Sequence, residues 1–186
     1  MNLSELVRTH LEITMSTKVD ACERNGGPTD LQPMMIWIDS DDKTSVAIVD
    51  SKTNTMDYMP KALSFVHKQN PKMIMFMSES LGKSIDSLDE LANLEKSHKH
   101  GDLKKMYDRR GPLSGVREMI TMSAIDMNSG KQVQAVLGFS YDDKGIPAFH
   151  EPNIHEVPEE FIDRANVSSM LNAFYLFMLK KKSELN

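Results

Sequence analysis

The sequence predicts a single-domain α+β protein, with a mixed, mostly antiparallel sheet of about five strands and about three or four helices. Short apolar segments joined by polar turns indicate strands, and longer segments with apolar residues at helical spacing indicate helices. The two kinds of segment follow the order α-β-β-α-β-α-β-β-α. No fixed-period repeat or long linker divides the 186 residues, so we expect one domain over residues 1–186.

The first half of the chain contains the clearest alternation of helix and strand. Gly26 and Gly27 end the first helix, and the polar turn at 40–44 suits a hairpin. Because a helix joins the second and third strands, we expect them to run parallel if they share a sheet. The predicted helices and strands of this half cover residues 3–24, 34–39, 45–50, 56–70 and 72–78.

The second half begins with a short helix near 87–94 and a charged, mobile loop around 96–115. Residues 116–127 and 131–141 alternate between apolar and polar side chains, and Asn-Ser-Gly between them is a turn signal, so a second hairpin is expected. Residues 142–157 are predicted to be a loop. A final helix begins at Pro158.

Composition excludes several classes of protein. The single cysteine, Cys22, rules out an internal disulfide and is predicted to be packed rather than reactive. The first residues lack the pattern of a signal peptide, and no apolar run is long enough to span a bilayer, so we expect a soluble cytoplasmic protein with no membrane contact. No phosphate-binding glycine loop or nucleophile elbow is present.

Carboxylates at strand ends are the candidate catalytic residues. Glu79 follows the third predicted strand, and Glu118 lies near the start of the fourth. Together with Asp39 at the end of the first strand, they could bind a divalent metal such as magnesium or manganese and activate water. The alternative for Asp39 is a hairpin-turn residue that bonds its own backbone, and the alternative for the glutamates is a turn cap and a cross-strand ion pair.

Two further patterns bear on ligands. Met73, Met75 and Met77 share one face of a strand and could bind Cu(I). The strand is apolar on both faces, however, which favours a central strand whose methionines pack in the protein core. A basic segment near Tyr107 could contact nucleic acid, although a solvated loop explains it better in a chain of net charge −5. Its basic side chains are Lys96, Lys99, Lys104, Lys105, Arg109 and Arg110.

The last helix favours self-association. Its apolar side chains cover nearly the whole circumference over residues 173–179, so the helix requires more than one packing partner. We therefore expect a non-enzymatic binding or assembly module that forms a homodimer through Phe174, Phe177 and Met178, with no cofactor. The alternative is a metal-dependent hydrolase or nuclease that uses the strand-end carboxylates.

Overall fold

The computed structural model describes residues 2–49, 62, 64–83 and 116–158. Within these ranges the chain is α+β. A helical segment covers residues 64–69. The other elements are helix α1 (Leu3–Asn25) and strands β1 (Met34–Ile38), β2 (Thr44–Ile48), β3 (Met73–Lys83), β4 (Val116–Asp126), β5 (Gln132–Tyr141), β6 (Pro147–Phe149) and β7 (Asn153–Glu156).

The seven strands form one sheet in the order β2-β1-β3-β4-β5-β6, and β7 pairs with β5 beside β6. Every pairing is antiparallel. The predicted hairpins, β1–β2 and β4–β5, are confirmed. The second and third strands do run in the same direction, but β1 lies between them and pairs with both.

The prediction of about five strands was wrong, because β6 and β7 lie within the segment predicted to be a loop. They have three and four residues, too few to show an alternating pattern, and both are held by backbone pairing to the outer edge of β5. The described ranges contain two helical segments, α1 and residues 64–69. The helices expected near 87–94 and after Pro158 lie outside the described residues, as does most of the helix expected over 56–70.

Helix α1 begins and ends on the signals that its sequence carries. The Asn2 side chain accepts the Glu5 N–H at 2.8 Å while Glu5 accepts the Asn2 N–H at 2.9 Å, which is a capping box. At the other end Gly26 adopts φ 70°, a left-handed conformation that glycine enters without a Cβ penalty. These caps fix both ends of α1 within one residue of the prediction.

The sheet has a core on each face. The face beneath α1 is lined by alternate residues of β3, including Met75 and Met77, and by Leu137 and Phe139 of β5. The opposite face carries a smaller cluster that contains Ile74 of β3 and Val66 of the helical segment. The methionine row is therefore core, as the two-sided apolar pattern of β3 predicts. No helix in the described ranges is long and apolar enough to span a membrane.

Candidate functional site

Glu79 and Glu118 lie on adjacent strands and project from the same face of the sheet. Glu79 of β3 is opposite Ile120 of β4, and Glu118 is opposite Leu81. Since directly opposed residues share a face, the two glutamates are diagonal neighbours with Cα atoms roughly 7–8 Å apart. Ile120 belongs to the core beneath α1, so both carboxylates lie on the side of the sheet that α1 covers.

A lysine of α1 reaches this pair from above. Lys18 is 0% exposed, and its Nζ lies 2.6 Å from Oε1 of Glu79. The same ammonium donates a hydrogen bond of 2.6 Å to the carbonyl of Thr29. The second carboxylate oxygen of Glu79 accepts the Leu31 N–H at 2.9 Å. Glu79 therefore joins α1, the segment that follows it and strand β3.

Two aromatic rings complete the surroundings of the ammonium. Its Nζ lies 4.9 Å from the ring centroid of Phe139 and 5.4 Å from that of Tyr141. These distances are within the range at which a cation is attracted to the face of an aromatic ring. The rings of Phe139 and Tyr141 meet edge to face at 5.5 Å. We call Lys18, Glu79, Glu118, Phe139 and Tyr141 the Lys18 cluster.

Burial decides the electrostatics of Glu79. Removal from water raises the pKa of its carboxyl group because the charged form is disfavoured. The Leu31 N–H and Lys18 act in the opposite direction, and the nearby charge of Asp30 adds to the effect of burial. The carboxyl group therefore takes up a proton more readily than an exposed glutamate.

Tyr141 links the second carboxylate to the cluster. Burial raises the pKa of Tyr141, and the adjacent Glu118 raises it further because a neighbouring negative charge favours the neutral phenol. Tyr141 consequently remains a neutral phenol at physiological pH. Glu118 therefore lies close enough to Tyr141 for its negative charge to act on the phenol.

The contacts of the Lys18 cluster hold α1 against the sheet and serve the stability of the fold. An ammonium with no solvent exposure cannot reach a soluble substrate, and both oxygens of Glu79 already accept hydrogen bonds from the protein. Breaking such a buried pair by removing one partner destabilises proteins by about 3–5 kcal/mol, because the remaining charge has no compensation. Through Lys18, the cluster thus ties α1 to β3 and β5.

Asp39 does not join the two glutamates. It follows Ile38, which is opposite Met73 at the start of β3, whereas Glu79 lies six residues farther along that strand. At about 3.3 Å per residue the separation is roughly 20 Å. Asp39 Oδ1 accepts the N–H groups of Asp41 and Lys43, both at 2.9 Å, so Asp39 shapes the β1–β2 turn.

Of the three residues predicted to bind a metal, Glu79 and Glu118 lie close together and Asp39 lies apart from them. Within the described ranges, no group of three or more His, Cys, Asp or Glu side chains could hold a metal ion. In addition, the Lys18 ammonium lies against Glu79, where it would repel a divalent cation.

The sequence prediction missed Lys18. After Leu11, the buried side chains of α1 are Thr14, Lys18 and Cys22. The predicted apolar stripe instead ran through Met15 and Val19, which are only half-buried. Following the spacing of three and four from Val7 without regard to polarity would have reached Lys18. Cys22 is buried, as predicted.

A second feature lies at the β2 edge of the described sheet. Strand β2 is the last strand in the described sheet, and its side chains alternate between exposed and half-buried. Val46 is 54% exposed and Ile48 is 68% exposed. The unpaired backbone N–H and C=O groups of an edge strand are a template for pairing with another strand, and exposed apolar side chains on that strand favour such contact.

The remaining predicted sites lie outside the described residues. These are the basic segment with its six Lys and Arg side chains, and the apolar part of the last helix with Phe174, Phe177 and Met178. No protein-family model, no curated protein and no solved structure matches the chain. Function must therefore be inferred from the Lys18 cluster and the β2 edge.

Proposed function

We propose that the protein is a non-enzymatic binding or assembly module that forms a homodimer. The observation that supports this proposal is the position of β2 as the last strand of the sheet among the described residues, where Val46 and Ile48 are more than half exposed. Apolar surface of this kind is stabilised when a partner removes it from water.

The Lys18 cluster favours the same conclusion over an enzyme. The cluster brings a lysine and two glutamates together under α1. Its ammonium is fully buried and donates hydrogen bonds to Glu79 and to a backbone carbonyl. Catalytic groups must touch a substrate, and the Lys18 side chain has no exposure to solvent in the structure. The arrangement is suited to holding a rigid sheet whose edge binds a partner.

The test of the proposal is the mass of the full chain in solution. Multi-angle light scattering after size exclusion, from about 5 to 200 µM, should show a concentration-dependent rise toward twice the monomer mass, since contacts of modest size have micromolar affinities. A constant monomer mass of 21.1 kDa over this range would remove the proposal.

A metal-dependent hydrolase using Glu79 and Glu118 is the alternative, because the two carboxylates share one face of adjacent strands. A metal that binds the folded state must raise the melting temperature. We expect no shift on adding magnesium or manganese at millimolar concentration. A rise that is lost in both Glu79→Gln and Glu118→Gln would favour the hydrolase instead.

A further inference from the structure

The Lys18 ammonium and the Glu79 carboxylate are held in close contact away from solvent. Nζ lies 2.6 Å from Oε1, and a C–O bond is about 1.2 Å long, so Nζ is within about 4 Å of the carboxyl carbon Cδ. Groups held about 3–3.5 Å apart in a fixed orientation react as if their concentrations were very high. Because Lys18 has no exposed surface, soluble reactants do not compete with Glu79 for its nitrogen.

Burial favours the form of Glu79 that reacts with an amine. Transfer of one proton from Nζ to Oε1 gives a neutral amine beside a neutral carboxylic acid and leaves the net charge of the pair unchanged. Removal from water raises the pKa of the Glu79 carboxyl group, which favours the protonated acid. The neutral amine has the lone pair that attack on Cδ requires, and the ammonium does not.

The other contacts of this pair match the needs of an acyl transfer. Oε2 of Glu79 accepts the Leu31 N–H at 2.9 Å. A backbone N–H at this position stabilises the negative charge that develops on the oxygen when an amine attacks the carboxyl carbon. The carbonyl of Thr29 accepts a hydrogen bond of 2.6 Å from Nζ and so holds the nitrogen in place.

Tyr141 lies where it can carry a proton. The centroid of its ring is 5.4 Å from Nζ. The charges of Glu118 and Glu79 both raise the pKa of its phenol, so the neutral hydroxyl lies near both carboxyl groups. Proton transfer by a positioned side chain accelerates reactions by about 10²–10⁴-fold. A neutral phenol in this place is suited to passing a proton from the amine to a departing oxygen.

We propose that Lys18 and Glu79 condense to an intramolecular isopeptide bond, which joins α1 covalently to β3. The bond formed is Nζ–Cδ and the bond broken is Cδ–Oε1. Two of the three ammonium protons leave with Oε1 as one water, and the third stays on the amide nitrogen. The step involves no oxidation or reduction and no further reactant. It takes place within one chain, so it stands whether or not the protein forms the proposed homodimer.

The first test is the intact mass of the full chain under denaturing conditions. Folded wild type, incubated at physiological temperature, should become lighter than its sequence by one water. Lys18→Met has no amine at this position, and it should keep the full mass. Wild type held in urea should also keep it, because unfolding separates Lys18 from Glu79. A wild-type chain that retains its full mass after folding overturns the proposal.

A tryptic digest locates the bond. Trypsin does not cleave after an acylated lysine, so a branched peptide should join residues 9–24 to residues 73–83. The ion pair between Lys72 and Asp42 is the control in the same digest, because these side chains are 27% and 82% exposed. No branched peptide should join those two residues. Loss of water without the branched peptide of 9–24 and 73–83 places the reaction elsewhere and overturns the proposal.

Tyr141→Phe tests the path of the proton. This variant keeps the ring beside Nζ and removes the hydroxyl, so condensation should slow at least about tenfold. Both chains are refolded from urea, the cross-linked fraction is followed over time, and urea titration checks that both are folded. Equal rates would overturn the role of the phenol. Freshly refolded chain still carries the ion pair, so the stability of that pair is measured on this form.

Discussion

The region between α1 and the sheet and the β2 edge of the sheet differ in which side chains they expose to solvent. At the centre, Lys18 is fully buried although it carries a charge, whereas at the edge Val46 and Ile48 are exposed although they are apolar. For these three side chains, a place between α1 and the sheet or at the sheet edge, rather than polarity, decides which are covered. The difference indicates that the Lys18 cluster holds α1 on the sheet, whereas Val46 and Ile48 contribute little to the described core.

The largest effect is expected at the centre. Glu79→Leu leaves the Lys18 ammonium buried without its carboxylate, so the free energy of unfolding should fall by about 3–5 kcal/mol in urea titrations. The double variant Lys18→Met/Glu79→Leu should lie within about 2 kcal/mol of wild type, because both charges of the ion pair are removed together. A double variant as unstable as Glu79→Leu would show that packing, not charge, holds this site.

The pH dependence of Lys18→Met should sharpen this result. Burial already raises the pKa of Glu79, and loss of Lys18 removes a group that lowers it. When the pKa of a carboxyl group is higher in the folded than in the unfolded protein, protonation favours the folded state. This stabilisation is complete below the unfolded-state pKa, near 4.5, and is lost as the pH rises through the folded-state pKa. The destabilisation of Lys18→Met should therefore be largest at neutral pH and shrink toward pH 4.5, in urea titrations at each pH. Parallel profiles for wild type and variant would contradict this assignment.

An intermediate effect is expected where the β5–β6 turn meets the end of α1. Gly145 has φ 75°, and a Cβ at this position would lie 2.6 Å from Cδ of Pro28 and 2.9 Å from Cα of Gly27. Gly145→Ala should lower the free energy of unfolding by about 1–3 kcal/mol. Gly27→Ala is the control, since its Cβ would meet nothing within 4 Å, and it should change stability by less than about 0.5 kcal/mol.

The smallest effect is expected at the edge. Ile48→Thr keeps a β-branched side chain at a position that is 68% exposed, so the free energy of unfolding of the monomer should change by less than about 0.5 kcal/mol. The measurement is thermal or urea unfolding at about 1 µM, where a micromolar dimer is largely dissociated. A loss above about 1 kcal/mol would mean that this edge contributes to the monomer core, and the contrast with Lys18 would fail.

The sequence predicts the local parts of this fold well. Caps and glycines determine the ends of α1, and short turns determine the two hairpins. The prediction failed where long-range pairing decides the outcome. Strands β6 and β7 form because β5 offers them an edge, and β3 continues past Ser78 to Lys83 because β4 pairs with it over its whole length.

The candidate site was only half predictable for the same reason. Glu79 and Glu118 were identified from their places at strand ends, and the register of β3 and β4 puts them together. Asp39 was grouped with them on the assumption that the strand ends meet, but β1 runs antiparallel to β3 and carries Asp39 to the opposite end. Lys18 was missed because a charged residue on a helix is normally assigned to solvent, and only the tertiary structure reveals the carboxylate that holds it.

The pairing of β3 with β4 also has a consequence for the order of folding. Residues 84–115 separate these strands in the chain, whereas a short turn joins β4 to β5. We therefore expect the β4–β5 hairpin to form early and β3 to dock later, because longer loops cost more entropy to close.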